Sequence, residues 1–194
     1  HRDLHSFPTR RSSDLADVFL LDSRGERRPS VGEYLSPEQL TWLIEGIRGS
    51  TARWKVVANS VPIMRFEPSL WRVNLNDRWE GFPAQRAALL EAIADVPGVV
   101  FVSGDVHCPI LARVEAAGPG SRAWDVVVGP GGSFLNPLGG LLPGTPNVLW
   151  ADSVWNATIV ELSATGEMTV QVLGEDGVVL CEAVLDDEGG VVAW

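Results

Sequence analysis

Strand-like and helix-like patterns alternate over the first half of this 194-residue chain. Residues 17–22, 54–58 and 99–103 are short apolar runs rich in β-branched residues, which predicts three strands. Stretches with apolar residues at helical spacing separate these runs. This alternation favours an α/β fold, in which helices cover a sheet. In such folds, functional side chains gather on the loops that follow the carboxyl ends of the strands.

Both predicted helices have recognisable starting residues. Ser36 is placed to cap the first helix, Pro37 suits its first position, and Gln39 lies three residues after the cap. Apolar residues then recur at helical spacing as far as Gly49. The second helix is predicted over residues 84–94, with its leucine and isoleucine side chains facing the core.

Polar residues follow each of the three predicted strands. These residues are Asp22, Asn59, Ser60, Asp105 and His107. Any one of them is explained by turn chemistry alone, because Asp, Asn and Ser are common where a chain leaves a strand. Their occurrence at three successive strand ends predicts a shared functional edge of the sheet.

Asp105 and His107 are the strongest candidates for chemistry. Residues two apart in an extended segment point the same way, so the two side chains are predicted to converge on one point. A carboxylate and an imidazole together suit a divalent metal ion. The two other histidines, His1 and His5, lie in an anomalous N-terminal segment. The alternative is that the Asp-x-His pair only caps a strand.

The second half of the sequence has the pattern of antiparallel β-structure. Strands are predicted over 109–114, 123–128, 157–162, 168–173 and 178–184. Glycine-containing turns separate the last three, which predicts hairpins at the end of the domain. Residues 129–147 are rich in Gly and Pro and predict a long surface loop. Residues 129–133 match neither the P-loop nor the dinucleotide fingerprint, so no nucleotide site is expected there.

Residues 5–15 resemble one reading frame of a widely used short-read sequencing adapter. The stretch is basic but has no apolar segment and no small-residue cleavage site, so it is not a secretory signal. We therefore expect residues 1–15 to be an artefactual tail. The natural sequence is expected to begin near Ala16, in the middle of a domain, which makes 16–194 the C-terminal part of a single domain.

The chain is acidic, with a formal net charge of −10. Without residues 1–15 it has 12 basic and 23 acidic residues, a net charge of −11. Sequence-independent nucleic-acid binding depends on Lys and Arg, so this function class is not expected. No apolar run approaches the length of a membrane span. Cys108 and Cys181 define no disulfide framework, and Cys108 is interpreted as a buried thiol rather than a metal ligand.

Several blocks of the sequence resemble the PhoD-like (alkaline phosphatase D) metallophosphatases. The blocks are Leu21-Asp22-Ser23-Arg24, Leu35-Ser36-Pro37-Glu38-Gln39, Trp54-Lys55-Val56-Val57-Ala58-Asn59-Ser60-Val61-Pro62, Trp79-Glu80-Gly81-Phe82-Pro83 and Phe101-Val102-Ser103-Gly104-Asp105-Val106-His107. Their order and spacing agree with the family over residues 17–135. Together they are far more specific than any one of them.

The resemblance implies a metallophosphatase-type β-sandwich flanked by helices, of which the N-terminal half is missing here. It also implies a centre of two or more metal ions, calcium and iron among them. The implied substrates are phosphate monoesters or diesters, hydrolysed by a metal-activated hydroxide. Many members of the family are exported, so a periplasmic or extracellular location is implied. The oligomeric state is left open.

The resemblance also assigns residues. Asp105 and His107 correspond to the closing metal-ligand motif of the family. Asp22 is implied as a catalytic positioning group near the metals, and Arg24 as its partner or as a partner of phosphate. A structural ion pair at a strand end explains Asp22 and Arg24 equally well.

Asn59 and Trp79 are the candidate substrate-binding residues. Asn59 is placed to face the site, although turn chemistry accounts for it equally well. Trp79 belongs to a block that is expected to wall the substrate cleft. In that block, Glu80 and Phe82 replace the usual Asp and Tyr.

A site with two metals needs several ligands, and this chain offers about three. We therefore expect the chain, as given, to have negligible phosphatase activity and weak metal affinity. Two other functions are considered. One is a non-catalytic acidic α/β binding module, and the other is a serine hydrolase that uses Ser133 or Ser60 with His107. No Gly-x-Ser-x-Gly elbow supports the hydrolase.

Overall fold

A computed structural model describes residues 9–66 and 75–194 of the chain. Within these residues there are eleven strands and two α-helices. In chain order they are β1 (Thr9–Ser12), β2 (Ala16–Leu20), α1 (Pro37–Arg48), β3 (Trp54–Ala58), α2 (Pro83–Ile93), β4 (Val99–Ser103), β5 (Ile110–Arg113), β6 (Trp124–Val127), β7 (Val148–Ala151), β8 (Asn156–Leu162), β9 (Met168–Gly174), β10 (Val179–Leu185) and β11 (Val191–Ala193).

The strands form two sheets. The larger sheet has seven strands in the order β1-β2-β3-β4-β6-β5-β7, and the smaller sheet has four in the order β11-β10-β9-β8. Strands β2, β3, β4 and β6 run parallel to one another, whereas β1 and β5 run antiparallel to their neighbours. The four strands of the smaller sheet are antiparallel throughout. Because β2, β3 and β4 run parallel, their carboxyl ends lie together at one edge of the larger sheet.

Both helices form where the sequence predicts them. The Ser36 hydroxyl accepts a hydrogen bond from the Gln39 backbone N–H at 3.1 Å, and α1 begins at Pro37. This bond satisfies one of the amides that a helix start leaves without an intrahelical partner. Helix α2 lies within one residue of its predicted range and buries the apolar side chains that were assigned to it.

The larger sheet is covered on both faces. Along β4, Val99 and Phe101 pack against the helices, whereas Val100 faces the smaller sheet. This alternation follows from the two-residue period of a strand. The helix-side core includes Leu43 and Leu89, and a third apolar cluster lies under the loops that follow β4. The predicted α/β sandwich is confirmed, with α1 and α2 covering one face of it.

Three strands were not predicted. Strands β7 and β11 were missed, and β1 lies within the tail that the sequence analysis interprets as adapter-derived. β1 pairs antiparallel with β2 and is the outermost strand on that side of the larger sheet. The artefactual origin of the tail stays a prediction, as does the domain division at residue 16.

Other expectations about the chain can be compared with the structure. Within 129–147, most residues are exposed, and a short 3-10 helix spans Pro137–Leu141. Cys108 is a buried free thiol, as expected, and so is Cys181; burial raises their pKa values to about 12 and about 11. Among the described residues, no helix is long and apolar enough to cross a bilayer.

Candidate active site

The ends of β2, β3 and β4 bring the predicted polar residues to one edge of the larger sheet. The Asn59 backbone N–H donates to the Val102 carbonyl, which joins the end of β3 to the end of β4. Arg24, in the loop after β2, donates to Asp105 after β4 at 2.7 Å. This contact joins residues 81 positions apart in the sequence. The predicted functional edge is therefore assembled by the parallel register.

Asp105 and His107 do not lie in an extended segment. Their φ angles are 72° and 61°, and they are the only non-glycine residues with positive φ in the described part of the chain. The extended conformation predicted for these residues was wrong, because β4 ends at Ser103 and the chain turns at once. Non-glycine residues rarely adopt this left-handed conformation and persist in it only when the surroundings hold them.

The imidazole of His107 is fixed by residues of the long loop. Its Nδ1 lies 3.0 Å from the carbonyl oxygen of Phe134. The two rings are stacked, with centroids 4.0 Å apart and an interplanar angle of 13°. A carbonyl oxygen only accepts hydrogen bonds, so the contact assigns the proton of a neutral imidazole to Nδ1. The lone pair is then on Nε2, the arrangement of a metal-binding histidine whose other nitrogen is held by a second partner.

Ser133 also lies near His107. Its hydroxyl oxygen is 3.3 Å from His107 Nδ1. A serine nucleophile needs a histidine nitrogen with a free lone pair, and here Nδ1 is assigned as a donor to Phe134. The geometry therefore does not favour the serine hydrolase, even though it brings the two side chains together.

Arg24 is one of two arginines that flank Asp77. Its Nη2 lies 2.7 Å from Asp105 Oδ1, and its Nη1 lies 4.0 Å from Asp77 Oδ1. All three side chains are about half exposed. Arg27 is buried and donates to Asp77 at 2.9 Å and to the Ser23 carbonyl at 3.1 Å. The Arg24 guanidinium is thus placed beside a predicted metal ligand while still accessible from solvent.

The Asp22 carboxylate holds its own loop in shape. Asp22 Oδ1 accepts from the Gly25 N–H at 2.8 Å, and the Asp22 N–H donates to Gln39 Oε1 at 2.8 Å. A Cβ at Gly25 would lie 2.5 Å from Asp22 Oδ2, so any other residue there would displace the Asp22 carboxylate from this position. Asp22 therefore positions the segment that carries Arg24.

A buried polar cluster, defined here as Ser23, Tyr34, Asn59 and Ser60, lies beneath this edge. Tyr34 donates to Asn59 Oδ1 at 3.1 Å, and the Ser23 and Ser60 hydroxyls are hydrogen-bonded to each other. The Asn59 side-chain amide also donates to the Val61 carbonyl. Burial raises the pKa of Tyr34, although bonds from Ser23 and Ser60 oppose the shift. The cluster ties the loop after β2 to the loop after β3.

We expect Tyr34→Phe to lower the free energy of unfolding by about 1–2 kcal/mol, because it leaves the buried Asn59 oxygen without its donor. Urea denaturation followed by fluorescence measures the loss. Tyr34 is the only tyrosine in the chain, so ultraviolet absorbance in an alkaline titration reports its phenol alone. A loss below about 0.5 kcal/mol would show that the bond contributes little.

Two predicted substrate-binding residues lie deeper than expected. Trp79 is fully buried, with its ring centroid 4.0 Å from that of Tyr34. Asn59 is 8% exposed and already bonded within the polar cluster. Neither side chain reaches the surface in this structure. A direct substrate contact for either residue stays a prediction, whereas both visibly support the loops above them.

Two residues that sequence reasoning missed hold the loop after β3. The buried Asp125 carboxylate accepts from the Ile63 and Met64 N–H groups at 2.8 Å each. The buried Arg86 guanidinium donates to the Ile63 carbonyl at 2.8 Å and to Glu115 at 2.7 Å. The sequence gives no local sign of these contacts. A single Asp in an apolar strand interrupts the run of apolar residues without showing which groups it binds.

The side chains present fit one part of a metal site. Asp105 offers a carboxylate oxygen, which ligates calcium, iron or zinc, and His107 offers Nε2, which ligates iron or zinc. Within residues 9–66 and 75–194, no three His, Cys, Asp or Glu side chains converge as a metal-binding group. The described residues therefore supply part of a ligand set and not a complete one.

The two-sheet sandwich superposes on solved phosphatase structures, so the chain has the metallophosphatase fold. The sequence model of the PhoD-like phosphatases matches residues 6–139, more than half of the chain. The chain belongs to the PhoD-like phosphatase family, as its sequence blocks indicated.

Similar proteins support this assignment. Alkaline phosphatase D of Bacillus subtilis (strain 168) is 33% identical over 90 residues, which cover 44% of this chain and 15% of that protein. The solved structure described as "Structure of PhoD" superposes with a TM-score of 0.73 at 17% identity, over 96% of this chain and 44% of that one.

Two further solved structures share the fold. The purple acid phosphatase PPD1 from yellow lupin (Lupinus luteus) seeds has a TM-score of 0.65 at 14% identity, over 93% of this chain and 32% of its own. GAP50, described as the anchor in the inner membrane complex of Plasmodium, has a TM-score of 0.62 at 16% identity, over 93% and 53%. This chain spans about half or less of each of these relatives.

Proposed function

We propose that this chain is part of a metal-dependent phosphoesterase that hydrolyses phosphate monoesters or diesters. The observation that carries the proposal is the His107 contact, in which the Phe134 carbonyl leaves Nε2 with its lone pair. The left-handed backbone at Asp105 and His107 adds support, because strained non-glycine residues concentrate at functional sites. Membership of the PhoD-like family supplies the reaction class.

Asp105 and His107 would hold a metal ion through one carboxylate oxygen and Nε2. A bound metal ion would supply a hydroxide nucleophile at neutral pH and neutralise charge that develops on the phosphoryl group. Calcium and iron are proposed from the resemblance to the family. The hard carboxylate oxygen suits either ion.

Arg24 is proposed to bind a phosphoryl oxygen of the substrate. Its guanidinium is half-exposed and pairs with Asp105 in this structure, and such a pair at the surface contributes little stability. Release of its one hydrogen bond to Asp105 would let the guanidinium turn toward phosphate and bind it in a bidentate manner. Asp22 is proposed as the positioning group, because it shapes the turn that carries Arg24.

The test uses the complete natural protein that contains these residues, assayed with bis-p-nitrophenyl phosphate and p-nitrophenyl phosphate after chelation and after metal is returned. We expect Asp105→Asn and His107→Gln to lower kcat/KM at least about a hundredfold, since each removes a proposed ligand. Asp176→Asn, on an exposed turn, is the matched control and should keep full activity. Full activity after chelation would refute the metal dependence.

The 194-residue chain alone is expected to show negligible hydrolysis and weak metal affinity, because its described residues converge on no complete ligand set. Calcium- or iron-dependent hydrolysis by this purified chain would contradict that expectation. The alternative, a non-catalytic acidic α/β binding module, predicts that the complete protein binds no divalent metal in calorimetric titration. Export to the periplasm or outside the cell is proposed from the family resemblance alone.

A further inference from the structure

A polar cavity lies at the amino-terminal ends of β3 and β4, on the opposite side of the larger sheet from the candidate active site. Its volume is ≈ 410 Å³. It is formed by the residues after α1, the start of β3, the segment before β4 and the turn between β10 and β11. Its charged residues are Arg48, Arg53, Lys55, Asp95 and Asp187. Three cations thus meet two carboxylates in a chain whose net charge is −10.

Lys55 is the unusual member of this group. It is the only lysine in the chain and is 4% exposed. Its ammonium group donates to the Pro97 carbonyl at 3.0 Å and the Arg53 carbonyl at 3.3 Å. An ammonium has three N–H bonds, and these two contacts use two of them. Lys55 is also one of the residues that line the cavity. Burial lowers the pKa of Lys55, and the nearby carboxylates of Asp187 and Asp17 oppose that shift.

The two arginines of the cavity each pair with a carboxylate. Arg53 donates to the Thr165 carbonyl and to Asp187 through its two terminal nitrogens. Arg48 pairs with Asp95 at 3.0 Å, where both side chains are largely exposed. Exposed ion pairs are worth little, so an incoming anion can replace such a carboxylate.

We propose that this cavity binds a phosphate group, either as free phosphate or as part of a small phosphorylated molecule. Two arginines supply forked donors and, with the lysine, the positive charge that binds a phosphate dianion. The cavity has room for a phosphoryl group with a small organic portion, which would extend past Ser50 and Thr51 toward solvent. The site is separate from the proposed catalytic edge and does not depend on the proposed function.

The test is nuclear magnetic resonance of the chain labelled with ¹⁵N-lysine, in which Lys55 gives a single signal. We expect a saturable shift with glycerol 3-phosphate and with inorganic phosphate, and none with chloride at equal ionic strength. Tighter binding of glycerol 3-phosphate identifies a phosphorylated molecule as the ligand, and equal or tighter binding of inorganic phosphate identifies free phosphate. Either order supports the phosphoryl site.

Variants locate the site. Arg48→Gln and Arg53→Gln together should weaken binding at least about tenfold, because charge-assisted bonds to phosphate are lost. The Arg48 and Arg53 side chains are 49% and 38% exposed, so folding is expected to survive, and the lysine spectrum reports whether it does. Arg28→Gln, at an exposed arginine that lies outside the cavity, is the matched control and should leave binding unchanged. No shift beyond that of chloride, equal binding by the double variant, or loss of binding in Arg28→Gln would each overturn the proposal.

Discussion

Asp125→Ala is expected to lower the free energy of unfolding by about 2–6 kcal/mol. Asp125 is fully buried, and one of its oxygens accepts from two backbone N–H groups, those of Ile63 and Met64. Alanine leaves both amides buried without an acceptor, and each such group costs about 1–3 kcal/mol. Urea denaturation with a common m-value measures the loss.

The same carboxylate makes stability depend on pH. Burial raises the pKa of Asp125 from 3.8 to about 6, although hydrogen bonds from Met64, Ile63 and Ser103 oppose the shift. A raised pKa means that the folded state holds the proton more tightly than the unfolded state. The contribution is therefore present below about pH 4 and is lost as pH rises through about 6, by about 3 kcal/mol in total.

Two variants separate these effects. Asp125→Asn keeps an oxygen for the two amides but does not titrate, so it should cost less than alanine and should remove this part of the pH dependence. Asp176→Ala removes a carboxylate that accepts from one exposed amide, that of Val178, and should cost less than about 1 kcal/mol. An unchanged pH profile in Asp125→Asn would show that Asp125 is ionised throughout.

The elements that depend on local sequence could be predicted. Helix α1 is set by the Ser36 cap and Pro37, and the parallel strands are set by short β-branched runs. Strand β7 could not be predicted, because Val148–Ala151 follows a Gly- and Pro-rich loop and becomes a strand only by pairing with β5. Its conformation is decided by a partner that is distant in the sequence.

The candidate site shows the same limit. The strand-end positions of Asp22, Asn59 and Asp105 follow from local pattern, and the structure brings them to one edge. The left-handed backbone at Asp105 depends on contacts that no spacing reveals, including the bond from Arg24. Burial of Trp79 under Tyr34 was missed because an aromatic residue in an irregular segment fits a cleft wall or a core equally well.

Trp54→Ala is expected to lower the free energy of unfolding by about 3–5 kcal/mol, the range for removal of a buried tryptophan. Trp54 is fully buried in the apolar layer between the two sheets. Its indole N–H also donates to the Gly166 carbonyl at 2.8 Å, in the hairpin turn between β8 and β9. The substitution therefore leaves a cavity and removes a direct bond between the sheets. Urea denaturation measures the change.

Trp54→Phe separates packing from the hydrogen bond. Phenylalanine fills most of the space but leaves the Gly166 carbonyl without its donor, so a smaller loss is expected. Trp194→Ala, at a side chain that is 63% exposed, is the matched control and should change stability by less than about 0.5 kcal/mol. Equal losses in Trp54→Ala and Trp194→Ala would mean that the smaller sheet does not pack on the larger one through Trp54. The larger sheet, which the helices cover and which carries the candidate site, would then be stable without the contacts that Trp54 makes.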